Sequence, residues 1–81
     1  MSLEPYIRFK TYKLIKGFTH SGKFKMVPHG DYVFKTFEAD RNGFIEIASL
    51  YEGHVDMDNV YVVRVNDLPK SALRKLSYSF D

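Results

Sequence analysis

Turn-forming clusters interrupt this chain too often for it to be built mainly from helices. Thr19-His20-Ser21-Gly22, Pro28-His29-Gly30-Asp31 and Asp40-Arg41-Asn42-Gly43 each gather residues that favour turns. They leave apolar segments of strand length at intervals of roughly 8–13 residues, the rhythm of a small barrel or curled sheet. Composition agrees. Seven Phe and six Tyr, with no Trp, bring the aromatic content to 16%, and such rings fit a pleated, half-buried surface. In a chain of 81 residues, each large ring supplies much of the burial that a small domain can achieve.

Residues 1–5 read as a disordered N-terminus or tag remnant, which leaves a single domain over residues 6–81. From Tyr6, Ile7 and Phe9 alternate with Arg8 and Lys10, the period of a half-buried strand. The phase then slips to Tyr12 and Leu14, which a β-bulge near Thr11 would explain. Ile7, Thr11, Leu14, Ile15 and Phe18 also fit a helical period, but the alternation favours a strand. A hairpin at residues 19–22 leads into a strand in which Phe24 and Met26 are expected to face the core, opposite Lys23 and Lys25. The next strand is expected over Tyr32–Ala39, and Asn42-Gly43 predicts a type I′ hairpin into Phe44–Tyr51. Glu52–Asn59 is acidic, lacks apolar periodicity and reads as a loop. Val60-Tyr61-Val62-Val63-Arg64-Val65 reads as a central strand buried on both faces. A short helix over residues 69–76 follows, with Asp67 as cap and Ala72, Leu73 and Leu76 as its apolar side. Residues 77–81 are expected to be a last strand or a tail.

The fold class is therefore mainly β: an SH3-like small barrel or a strongly curled five-stranded antiparallel sheet with a short C-terminal helix. Over residues 12–78, the pattern Gly30-Asp31-Tyr32-Val33, Asn42-Gly43-Phe44-Ile45-Glu46-Ile47, Val60-Tyr61-Val62-Val63 and Leu68-Pro69 resembles SH3-like barrels. The chain is also similar to the small SH3-like accessory proteins of large tailed bacteriophages, which are short and rich in Lys and Tyr. That resemblance implies a binding module for RNA, DNA, peptides or proteins, without choosing among them.

Several functions find no residues to carry them. There is no cysteine for thiol catalysis, disulfides or thiolate zinc. No serine stands in a nucleophile elbow, and no P-loop or GxGxxG is present. No histidine has another three or four residues away, so no sequential metal pair exists. Residues 38–49 align loosely with a calcium loop but place Glu38 at its first position and Ser49 where its bidentate Glu should stand. No cofactor, no metal and no enzymatic activity are expected. No apolar run approaches the roughly 20 residues that span a bilayer, and no signal-like N-terminus is visible, so a cytoplasmic location without membrane contact is expected.

What remains is charge. The net charge of +2 hides two opposed blocks. Residues 1–37 hold seven cations against Glu4 and Asp31, a balance of +5, while residues 38–67 hold seven carboxylates against Arg41 and Arg64, a balance of −5. The strand pattern would place Lys10, Lys13, Lys16, Lys23, Lys25 and Lys35 on a solvent face opposite Phe9, Leu14, Phe24 and Met26. Such a face suits nucleic acid, with Tyr12 and Phe18 available to stack on bases. The same lysines also serve as a solvated face that protects edge strands. The alternative is a protein-interaction module, either a phage-type modulator of a host protein or a self-associating dimer. It would use exposed Tyr6, Phe44 and Tyr51 with the acidic residues Asp56 and Asp58 of the 52–58 loop.

Overall fold

Six strands and one helix follow one another in the computed structural model, which describes residues 7–36 and 38–80, the last four by backbone alone. The strands are β1 (Arg8–Thr11), β2 (Ile15–Phe18), β3 (Phe24–Val27), β4 (Gly30–Phe34), β5 (Phe44–Tyr51) and β6 (His54–Arg64). A 3-10 turn (Val65–Asp67) and helix α1 (Lys70–Phe80) complete the chain. All pairings are antiparallel, and the order across the single sheet is β1-β4-β5-β6-β2-β3. The fold is thus mainly β, as the turn spacing implies. The count is six rather than five because the phase slip near Thr11 is a break between two strands, not a bulge within one. β1 pairs with β4 while β2 pairs with β6 and β3, so Tyr12-Lys13-Leu14 carries the chain from one part of the sheet to another.

The concave side of the sheet holds Phe9, Ile15, Val27, Tyr32, Phe34, Ile45, Ile47, Tyr61 and Val63, and Leu68, Ala72 and Leu76 close over them. Phe9 stacks between Tyr32 and Phe34, at centroid distances of 5.9 and 4.6 Å. β6 is central, flanked by β5 and β2, but it is not buried on both faces: Tyr61 and Val63 are buried, whereas Val60 and Val62 on the other face are half-buried and Arg64 is exposed. Helix α1 begins after Pro69, whose carbonyl accepts the amides of Ala72 and Leu73 at 3.0 and 3.1 Å. Asp67 lies in the 3-10 turn, so Pro69 and not Asp67 precedes the helix. The helix then continues through residues 77–80 instead of giving way to a strand or tail.

Three further expectations are corrected. Phe24 and Met26 do not face the core; they are 59% and 37% exposed, and Leu14 is 60% exposed. The core-facing positions of this hairpin are Ile15, Gly17 and Val27, one residue out of phase with the reading. Residues 52–59 are not a loop. Glu52 and Gly53, at φ 50° and 81°, form a two-residue turn in which both positions are left-handed, and β6 begins at His54. A register shift between Ala48 and Ser49 leaves residues 57–59 bulged from the ladder, which erases the apolar alternation there. Finally, β4 ends at Phe34, and the turn at residues 40–43 is not type I′. Only Gly43 has positive φ, at 86°, while Asp40 Oδ1 accepts the amides of Asn42 and Phe44 at 2.8 and 3.0 Å. An acceptor side chain ahead of the turn selects a type I turn closed by a glycine bulge.

Gly17 marks the tightest contact in the sheet. A Cβ there would stand 2.7 Å from Val27 Cγ2 and 3.3 Å from Val63 Cγ1, both on buried residues of flanking strands. Gly17→Ala should therefore lower stability by about 1–3 kcal/mol, seen in urea as a lower midpoint at unchanged slope. A second prediction concerns alkali. Burial, and then neighbouring Tyr61, pushes the Tyr32 phenol from 10.0 up to about 12. The folded state thus favours neutral Tyr32, so its contribution is complete below pH 10 and declines as pH rises through 12. The loss should reach up to about 3 kcal/mol, with Tyr61 acting in the same direction. Alkaline titration followed by tyrosinate absorbance should show a late-ionising phenol that Tyr32→Phe removes.

Candidate nucleic-acid interface

The bend between β1 and β2 builds one wall of a concavity in the surface. Three residues must leave one strand and enter another at a different place in the sheet, and none of them reaches the core. Tyr12 is 81% exposed, and Lys13 and Leu14 are exposed beside it. Facing them are the end of β6, the 3-10 turn and the start of α1. Together they enclose a groove of about 990 Å³, whose wall includes Tyr12, Lys13, Lys16, Phe18, Arg64 and Lys70. Asp67 is the one carboxylate on its wall. Among the described residues, no carboxylate lies within ion-pair distance of Lys13, Lys16, Arg64 or Lys70. Four cations therefore face one anion around an open, partly apolar groove.

The groove brings together Tyr12, Lys13, Lys16 and Phe18 from the residues that the sequence nominated for nucleic acid. The other four are elsewhere. Lys10 lies on β1, its ammonium 3.7 Å from Asp31. Lys35 is 3.9 Å from Glu46, which His20 also approaches at 3.6 Å. Lys23 stands at the β2–β3 turn, where its amide donates to Thr19 Oγ1. Lys25 reaches over the Tyr61 ring at 5.4 Å. A single cationic face is thus replaced by a basic groove and four scattered lysines. The physical reason is the phase of the hairpin: Lys16 pairs with Met26 and Phe18 with Phe24, so lysine and apolar side chains share the outer face.

Phe18 forms part of the groove wall and also the centre of an aromatic cluster on that outer face. It meets Phe24 and Phe44 edge-on, each at 5.9 Å, and the Arg64 guanidinium lies 5.5 Å over the Phe44 ring. That contact holds Arg64 toward the groove without neutralising it. Arg64 and Lys70 are the site residues that sequence reasoning missed. Alternation supplied a signal for Arg64, because a residue following core-facing Val63 must point outward.

The residues nominated for a protein partner do not form one patch. Tyr6 lies outside the described residues. Phe44 and Tyr51 occupy opposite ends of β5, up to about 23 Å apart along the strand. Tyr51 is 67% exposed at the β5–β6 turn, while half-buried Asp56 accepts the Asp58 amide and the Asn59 side-chain amide, at 3.0 and 2.7 Å, and thereby shapes the bulge. Asp58 is exposed. Among the described residues, no three His, Asp or Glu side chains gather as a metal-binding group, and no helix is long and apolar enough to cross a membrane.

No family model, curated protein or solved structure matches this chain.

Proposed function

We propose that this protein is a non-enzymatic binding module whose corner groove takes single-stranded nucleic acid. The observation that carries the reading is the exposure of Tyr12 between cations that have no carboxylate partner. An exposed phenol ring offers a π-face to any unpaired base, and stacking of this kind is worth about 1–3 kcal/mol per base. Lys13, Lys16, Arg64 and Lys70 line the same groove and would neutralise the phosphates of a strand lying in it. Each neutralised phosphate releases condensed counterion, so affinity is mainly electrostatic and tolerant of sequence.

Duplex DNA suits this site less well. The cations border a concave groove and are not arrayed along one helix that could enter a major groove. An unpaired strand can bend into the corner and turn one base toward Tyr12.

Fluorescence anisotropy with a labelled oligothymidine or oligouridine tests the reading. Binding should weaken with salt at a log–log slope of about −3, the value for four phosphate contacts on a single strand. Lys13→Gln and Lys16→Gln should each make that slope shallower by about 0.7. Tyr12→Ala should cost about 1–3 kcal/mol at an unchanged slope, because stacking carries no charge. Absence of binding at low salt would refute the proposal, as would binding whose slope ignores both lysine substitutions.

A further inference from the structure

β3 ends the sheet, and its outer edge has no strand beside it among the described residues. The hairpin register says which backbone groups face outward. Thr19 N–H donates to the Lys23 carbonyl at 2.8 Å, which places the β2–β3 ladder bonds at the 19–23, 17–25 and 15–27 pairs. The N–H and C=O groups of Phe24 and Met26 therefore point away from β2. The opposite edge of the sheet differs: there, Lys75 Nζ donates to the Arg8 carbonyl of β1 at 2.7 Å.

Side chains beside the free edge define what would pair with it. Phe24 and Met26 are exposed on the outer face, where Phe24 adjoins Phe18 and the aromatic cluster. Lys23 and Lys25 lie on the alternate positions, and Lys16 stands opposite Met26. Among the described residues, none of these three lysines has a carboxylate within ion-pair distance. An edge with outward amides, apolar side chains on one face and unmatched cations calls for an extended chain of complementary pattern.

We infer that the free edge of β3 is a docking site for a partner protein, which adds an extended segment of alternating acidic and apolar residues as a seventh strand. Its main chain pairs with Phe24 and Met26, its apolar side chains cover Phe24 and Met26, and its carboxylates meet Lys23 and Lys25. A second copy of this chain fits poorly. Antiparallel pairing of two β3 strands centred on Lys25 sets Lys25 against Lys25, a like-charge pair directly across the ladder. A nucleic acid fits poorly as well, because it offers no alternating amide and carbonyl groups at strand spacing. The inference shares Lys16 and Phe18 with the groove reading but does not rest on Tyr12 or Lys13, which belong to the groove alone.

The probe is a capped synthetic peptide alternating Glu and Val, titrated into the full chain by amide NMR with hydrogen exchange. Saturable binding should slow exchange at Phe24 and Met26, while the ladder amides of Lys25 and Val27 stay as protected as before. Met26→Pro removes an outward N–H and no β2 bond, so a variant that keeps its circular dichroism should bind roughly fivefold more weakly. Should that variant fail to fold, N-methylation of the peptide provides the test on the native protein. Methyl groups on one set of alternate amides should abolish binding, and methyl groups on the other set should not.

Equal binding of an alternating Lys and Val peptide would overturn the inference. So would shifts confined to Tyr12 and Lys13, or protection of Phe24 and Met26 by oligothymidine instead of the peptide. Protection that rises with protein concentration in the absence of peptide would assign the edge to a second copy, and would overturn it too. Peptide binding without oligothymidine binding at low salt would mark failure of the groove reading alone, whereas oligothymidine binding without peptide binding would mark failure of this one.

Discussion

Two short links force the sheet to roll, and most of the surface follows from them. β1 and β2 stand four places apart in the strand order, about 19 Å if the sheet were flat. Only Tyr12-Lys13-Leu14 joins Thr11 to Ile15, a reach of at most about 14 Å. β3 and β4 stand four places apart as well, and Pro28-His29 alone connects them, a reach of about 11 Å. Neither link can span a flat sheet. The sheet therefore curls until these strand ends meet at a corner, and the side chains there tie it: Thr11 Oγ1 accepts the Gly30 amide, and the Tyr32 hydroxyl donates to the Pro28 carbonyl. Gly17 lacks a side chain where Val27 and Val63 come closest, which lets the curl tighten.

The elements legible in the sequence were those set by local chemistry. Turn residues bounded the strands, the Val60–Val65 run marked the central strand, and Pro69 marked the helix start. What was not legible depended on which face of each strand turned inward. Phe24 and Met26 look like core residues because they are large and apolar. Val27 and Gly17 hold the core positions instead, because the tight approach of β2 to β3 and β6 admits only small side chains. Likewise, Asp40 altered the turn type that Asn42-Gly43 suggests, by accepting two amides ahead of the glycine. The strand nature of residues 54–59 was masked by a bulge, and bulges leave no period to detect.

The candidate site shows the same division. Tyr12, Lys13, Lys16 and Phe18 are close in sequence and so stay close in space, whatever the fold does. Arg64 and Lys70 join them only because β6 runs antiparallel to β2 and delivers its last residues to the first residues of that strand. Local spacing cannot reveal that meeting. The remaining lysines leave the group for equally non-local reasons. Lys10 and Lys35 find carboxylates on neighbouring strands, and Lys25 turns over the Tyr61 ring from the far side of β2.

The corner also explains why binding groups accumulate there instead of on the strands. A residue in a strand interior has its backbone bonded on both sides and its side chain assigned to a face by alternation. A residue in a three-residue link that changes direction has neither constraint, and the small core has no room left to receive it. Tyr12 and Leu14 consequently stay exposed although they are apolar in body, at a cost in unburied area that a chain of this size meets with its stacked Phe9, Tyr32 and Phe34. The edge strand β3 follows the same logic at the other side of the hairpin. With Val27 turned to the core, alternation turns Lys25 toward the Tyr61 ring and leaves Phe24 and Met26 on the outer face. The short links that close the fold are therefore the reason it presents apolar groups beside unmatched cations at two neighbouring places.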